Sequence, residues 1–267
     1  MATKRREEID AATMPASLNG NVATDLHPHS LLPHADILVD GESTDVAAAS
    51  YDTARRTLKV LYESADAIDQ AHTACMTNIR VGTEKASGKP ILQRGIDPQR
   101  APQLAAAMSE SFGRAAAQIE ASDGILGKTV EKLENDVATS LVNKRANETS
   151  VSQAAGEIRQ YLRSNFKDPG ARLNFLMQCI EQGDHETISA VLATRPWVSG
   201  LDREQQARVR DLAAEKFAQR SYKQLKAITA VRAHLDRANR SYVASYFSKL
   251  PRIAATPVDD ALGKLKG

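Results

Sequence analysis

The chain is predicted to be all-α, built from long amphipathic, coiled-coil-like helices with a small C-terminal helical domain and an extended N-terminal arm. Two observations carry that expectation. Aromatic residues are only 4% of the 267 residues against 42% hydrophobic, and much of the hydrophobic fraction is alanine, which buries little area and favours helix over strand. Apolar residues also recur at helical spacing along two long stretches, each too narrow a stripe to form a thick core by itself.

Residues 1–42 show no sustained helical period and hold Pro15, Asn19-Gly20, Pro28, Pro33 and Gly41. These punctuate structure through fixed φ or a tolerance for φ > 0, so the segment reads as an extended or disordered arm that orders on a partner. Residues 43–166 form the long-helix region. Ser43 or Thr44 can cap its start, and Tyr51, Ala54, Leu58, Leu61, Ala65, Ile68, His72, Cys75 and Ile79 follow in alternating steps of three and four. A 3.5-residue period is the seam of a left-handed coiled coil, which assigns Leu58, Leu61 and Ile68 to helix pairing and oligomerisation. His72 lies on this stripe and reads as a hydrogen-bonded core histidine.

Gly82, Gly88, Pro90, Gly95, Pro98 and Pro102 make residues 82–102 a loop. A second stripe then runs through Leu104, Met108, Phe112, Ala115, Ile119, Ser122, Leu126, Val130, Leu133, Val137 and Leu141, with a mean step of 3.7. That period predicts a straight helix, and Asp123-Gly124 with Gly127 predicts a kink or break near 123–127, since each glycine costs about 1 kcal/mol relative to alanine. The same face extends to Ala155, Ile158, Leu162 and Phe166.

Asp168-Pro169-Gly170 restarts the chain as a capped helix does. Residues 167–251 are denser in large apolar side chains and form the small helical domain, with Phe175 and the single tryptophan, Trp197, as its anchors. Ser199 to Asp202 has capping-box spacing. One or two further amphipathic helices follow, ended by Pro251 and Pro257, and residues 252–267 are a tail.

Charge is uneven along the chain. Residues 36–75 carry eight acids and three bases, whereas residues 201–252 carry twelve bases and five acids. The two segments are complementary, which favours head-to-tail contact between chains or docking within one chain. The basic segment, with Arg232, Arg237 and Arg240 interleaved by Tyr222, Tyr242 and Tyr246, also fits nucleic acid or an acidic partner.

Several classes of chemistry are excluded by pattern. No apolar run approaches the length of a membrane span. Cys75 and Cys179 are far apart and outside any paired motif, so neither a disulfide framework nor a thiolate metal site is expected, and a reducing cytoplasm is the default. Gly82 to Lys89 and Gly124 to Thr129 both miss the phosphate-loop spacing. No nucleophile elbow or zinc-binding helix motif is present, and Glu131, Glu134 and Asp136 fall on a solvated helix face. His27, His29, His34 and Asp36 are clustered but match no regular ligand spacing. An enzyme, a cofactor and a metal are therefore not expected.

The run Gln182-Gly183-Asp184 through Ala190-Val191-Leu192-Ala193 to Pro196-Trp197-Val198-Ser199-Gly200-Leu201, followed by a charged helix, resembles a pattern in uncharacterised helical proteins of tailed bacteriophages and prophages. The resemblance spans about twenty residues and implies a setting rather than a site: a virion-associated component, made in the host cytoplasm during assembly. The expected function is a non-enzymatic, homo-oligomerising structural or assembly protein, such as a scaffolding, internal core or head-tail junction component, in contact with other virion proteins. The alternative is a DNA-binding accessory protein that uses the basic C-terminal helices.

Overall fold

The computed structural model of the protein describes residues 2–15, 18–40, 45–84, 89–142 and 149–250. The chain is largely helical, as expected. Helix α1 spans Ala2–Thr13, and short helical turns at Thr24–Leu26, Pro28–His34 and Asp36–Asp40 lead to α2, Asp45–Cys75. Strands β1 (Met76–Thr83) and β2 (Pro90–Ile96) follow, then α3 (Ala101–Leu141), α4 (Thr149–Asn165), α5 (Pro169–Gln182), α6 (His185–Leu192), a turn at Pro196–Ser199, α7 (Arg203–Phe217) and α8 (Gln219–Lys249). The expected caps Ser43 and Thr44 and the tail from residue 252 lie outside the described residues.

Helices α2, α3 and α8 pack together as a three-helix bundle, and the stripes read from the sequence are its inner faces. Tyr51, Ala54, Leu58, Leu61, Ala65 and Ile68 of α2 meet Leu104, Met108, Ala115, Leu126 and Leu133 of α3 and Ile228, Val231, Leu235 and Tyr242 of α8. Polar side chains on the seam pair with each other: Ser50 Oγ lies 2.7 Å from Thr129 Oγ1, and Ser64 Oγ 2.8 Å from Tyr242 Oη. The opposed charge of the two segments is met within the chain, since Lys249 Nζ donates to Asp69 Oδ1 at 2.6 Å, with little of either side chain exposed.

The N-terminal arm is corrected from extended to packed. Leu26, Leu31 and Leu38 are buried against α2 and α8. Asn19 Nδ2 donates to Asp66 and Asp69 at 2.7 and 3.0 Å, the Asn19 backbone N–H donates to Tyr62 Oη, and Arg55, fully buried on α2, is paired with Asp10. Thr24–Leu26 and Pro28–His34 are 3-10 turns that repeat every third residue and Asp36–Asp40 is a wider π turn, so a search for a 3.6 period does not register them, and α1 carries no apolar stripe.

The expected break in α3 is absent. Nothing lies within 4 Å of a Cβ built at Gly113, Gly124 or Gly127, so these glycines are not demanded by close packing. Ser122, Leu126, Thr129 and Leu133 face the bundle and hold the helix through them, because burial of several side chains outweighs about 1 kcal/mol per glycine.

A second core gathers Val137 and Leu141 at the end of α3 with Leu162, Leu176, Ile180, Ile188, Val191, Leu201, Val209 and Tyr222. The division at residue 167 is thereby corrected: α4 belongs to this second core, and most of α8 belongs to the bundle. Asp168 caps α5 by accepting from the Ala171 N–H at 2.7 Å, as its position before Pro169 predicts. The capping box falls three residues later than expected, with Asp202 as N-cap of α7 and Gln205 as its reciprocal partner. Arg172, buried beneath the Pro196–Ser199 turn, donates to the carbonyls of Gly200 and Phe166.

Candidate functional site

The residues expected to act are placed as follows. Leu58, Leu61 and Ile68 are buried inside their own chain, so the stripe has no face left for another copy. Phe175 is half-buried on Phe166, with ring centroids 4.7 Å apart. Trp197 is 68% exposed and anchors nothing, which corrects its assignment; the Arg195–Gly200 turn is held instead by Arg172 from beneath. Arg232 donates to both oxygens of Asp123 on α3, at 2.7 and 3.0 Å, and is a bundle clamp. Arg237 lies 3.4 Å from His234 Nδ1, and Arg240 is exposed on α8.

The histidines of the arm also serve packing. His27 and His29 are 4.9 Å apart, and His27 meets the Tyr62 ring edge-on. His234 of α8 reaches Ser30 Oγ at 2.7 Å and the Asp25 carbonyl at 2.9 Å. Burial pushes His27 and His34 below the ordinary imidazole value, helped by His29 and Arg55 at the first and His234 at the second. Among the described residues no group of three or more His, Cys, Asp or Glu side chains is placed to hold a metal ion, and no helix is long and apolar enough to cross a membrane.

A groove of about 590 Å³ between α2 and α3 is lined by Glu63, Ser64, Ser111 and Arg114, among others. Its polar groups are already engaged: Ser64 with Tyr242 and the Ser111 carbonyl, and Arg114 with Glu110. A shallower apolar recess is bounded by Ile158, Tyr161 and Phe175.

Three exposed large apolar side chains, Val81, Ile91 and Leu92, lie where the sequence predicted a loop. Met76–Thr83 and Pro90–Ile96 form an antiparallel two-stranded ribbon, with Asn78 opposite Arg94, Ile79 opposite Gln93 and Arg80 opposite Leu92. The loop assignment is corrected: Thr77, Ile79 and Val81 supply a β-branched strand pattern, and Pro90 opens β2, where a proline is tolerated. Ile79 had extended the helical stripe by coincidence, since one residue satisfies both periods. The ribbon roots in the bundle through Cys75 and Ile96, the Asp97 N–H donating to the Cys75 carbonyl at 2.9 Å and Arg100 to the Ala74 carbonyl. Beyond that root, among the described residues, the two strands pack chiefly on each other. At about 3.3 Å per residue it is about 25 Å long.

The two faces of the ribbon differ. On one, Ile79 folds across the backbone at Gly95, where a Cβ would come within 2.7 Å of Ile79 Cδ1. On the other, Asn78, Arg80, Leu92 and Arg94 all stand exposed, Leu92 at 57%. Val81, 55% exposed, sits at the bulge between Arg80 and Gly82, which sharpens the local twist. The segment carries Arg80, Lys85, Lys89 and Arg94 against the single acid Glu84.

No family model, curated protein or solved structure matches this chain.

Proposed function

We propose that the protein is a non-enzymatic assembly component in which a helical body holds out the 76–96 ribbon as a contact arm to a neighbouring macromolecule. One observation carries this reading: exposed apolar and basic side chains stand together on a ribbon whose two strands pack chiefly on each other. An isolated two-stranded hairpin is marginally stable in water, and its open edges and apolar residues gain from a partner. The setting that fits is a tailed-phage virion or its assembly pathway, on the strength of the 182–201 resemblance. Multimers of this chain form through surfaces other than the α2 stripe, because that stripe is spent on α3 and α8.

The test is to replace residues 77–95 by a short Gly-Ser turn and to follow hydrogen exchange in the intact chain. The body is expected to melt within about 2 °C of the parent, and the ribbon amides of the intact chain to exchange near the fast limit while α2 and α3 stay protected. A body that unfolds without the ribbon, or ribbon amides protected as strongly as those of the bundle, would make it a structural element and end the contact-arm reading.

A further inference from the structure

We infer that the partner of the ribbon is double-stranded nucleic acid, gripped by the face that carries Asn78, Arg80, Leu92 and Arg94. The inference rests on the contact-arm reading and names its ligand.

Shape comes first. A two-stranded ribbon is one of the few protein elements that enter the major groove of a B-form duplex, about 12 Å wide. This ribbon joins the bundle at Cys75 and Ile96, and Asn78, Arg80, Leu92 and Arg94 beyond that root are exposed to an approaching duplex.

Chemistry agrees with the shape. Arg80 and Arg94 are on the same face, offset by one pair of the ladder, with Asn78 opposite Arg94. Diagonal neighbours of this kind lie about 7–8 Å apart, their Cβ atoms somewhat closer, a spacing at which two guanidinium groups reach successive phosphates or base edges. Arginine and asparagine are the side chains that make paired hydrogen bonds to guanine and adenine in that groove, and Leu92 supplies an apolar contact of the sort a thymine methyl takes. No carboxylate is on this face; Glu84, the one acid of the segment, lies past the end of β1.

Charge decides between occupants. A second copy of the same ribbon brings the same excess of positive charge and repels the first, whereas a polyanion releases its counterions on contact. Of the arginines first singled out on α8, Arg232 is held by the Asp123 carboxylate, whereas Arg80 of the ribbon donates to the neutral Thr83 hydroxyl, at 2.6 Å.

The experiment is fluorescence anisotropy of the full chain with a labelled duplex of about 20 base pairs, roughly two helical turns, titrated at several salt concentrations. The expected result is binding that R80E/R94E weakens by at least about tenfold and R237E/R240E leaves within about threefold, with the log–log salt slope of R80A/R94A smaller by about 2. Thermal melts of all variants accompany the titrations, and because these side chains stand on the unsupported ribbon the body should melt as the parent does. Binding that R80E/R94E leaves unchanged overturns the inference. So does an absence of binding at low salt. In that second case, a multimer seen by light scattering that disappears with the ribbon would leave the contact arm standing with a protein partner; no ribbon-dependent association of any kind would sink both.

Discussion

Replacing Leu58 by alanine separates a core within one chain from a seam between chains. Leu58 is wholly buried in the α2–α3–α8 cluster, and truncating a buried leucine removes transfer energy and leaves a cavity, for a loss of about 3 kcal/mol within a range of 2–5. Urea denaturation should therefore show a lower midpoint with an unchanged slope, because the surface exposed on unfolding is nearly the same. The measurement is repeated at two protein concentrations about fiftyfold apart. A stripe that paired chains would make apparent stability rise by about 2 kcal/mol over that interval, and the variant would lower the solution mass. A core closed within the chain gives the opposite: a concentration-independent loss with no change in mass. A loss under about 1 kcal/mol, or one that grows on dilution, would refute the assignment of Leu58 to a core closed within the chain.

Gly200 has φ +71°, and a Cβ there would lie 2.6 Å from Nη1 of the buried Arg172. Gly200→Ala should cost more than Gly183→Ala, which has φ +80° but open space around it; the second change carries only the left-handed backbone penalty of about 1–2 kcal/mol. Equal losses in thermal denaturation would show that Arg172 yields freely. Lys249, by donating to Asp69, leads the causes that lower its carboxyl from 3.8 to about 2. That stabilisation is fully present above the unfolded carboxyl value and is lost as pH falls toward 2, so Lys249→Met should flatten the acid limb of stability between about pH 4 and 2; a limb as steep as the parent's would contradict it. His27 and His34 are depressed chiefly by burial, so their neutral forms favour the fold and stability declines as pH drops below the ordinary 6.5. Melting temperatures of the double His27→Gln, His34→Gln variant should depend less on pH between about 7 and 5, and an unaltered dependence would count against the burial argument.

The helical stripes were legible in the sequence because each position has the same role whatever covers it. Leu104, Met108, Ala115, Leu126, Leu133 and Leu141 are all buried, and the mean step of 3.7 matches a helix that runs unbroken to Leu141. Asp168 at the start of α5 was legible for a similar reason, since capping is a transaction between neighbours three residues apart. The ribbon carried a local signal too, in Thr77-Ile79-Val81 and in the turn residues before Pro90, but glycine and proline mark loops and hairpin turns alike. Its two open faces are a property of packing that the alternation of side chains does not report.

By itself the sequence determined that the chain is helical, where α3 and α5 start, which face of the long helices is apolar, and that one segment is acidic and another basic. Those properties follow from backbone preferences and spacings of a few residues, which act before any distant contact forms. Tertiary structure alone decided what covers each face: that α8 leaves the C-terminal helices to complete the bundle, that the N-terminal turns bury Leu26 and Leu31 on it, that Asp69 meets Lys249 and Asp123 meets Arg232, and that Val81, Ile91 and Leu92 of the ribbon stay exposed. An apolar stripe states how much area must leave water but is silent on its partner, because the hydrophobic effect has no direction and many pairings bury the same area. The choice among them rests on how the whole set of helices fits at once.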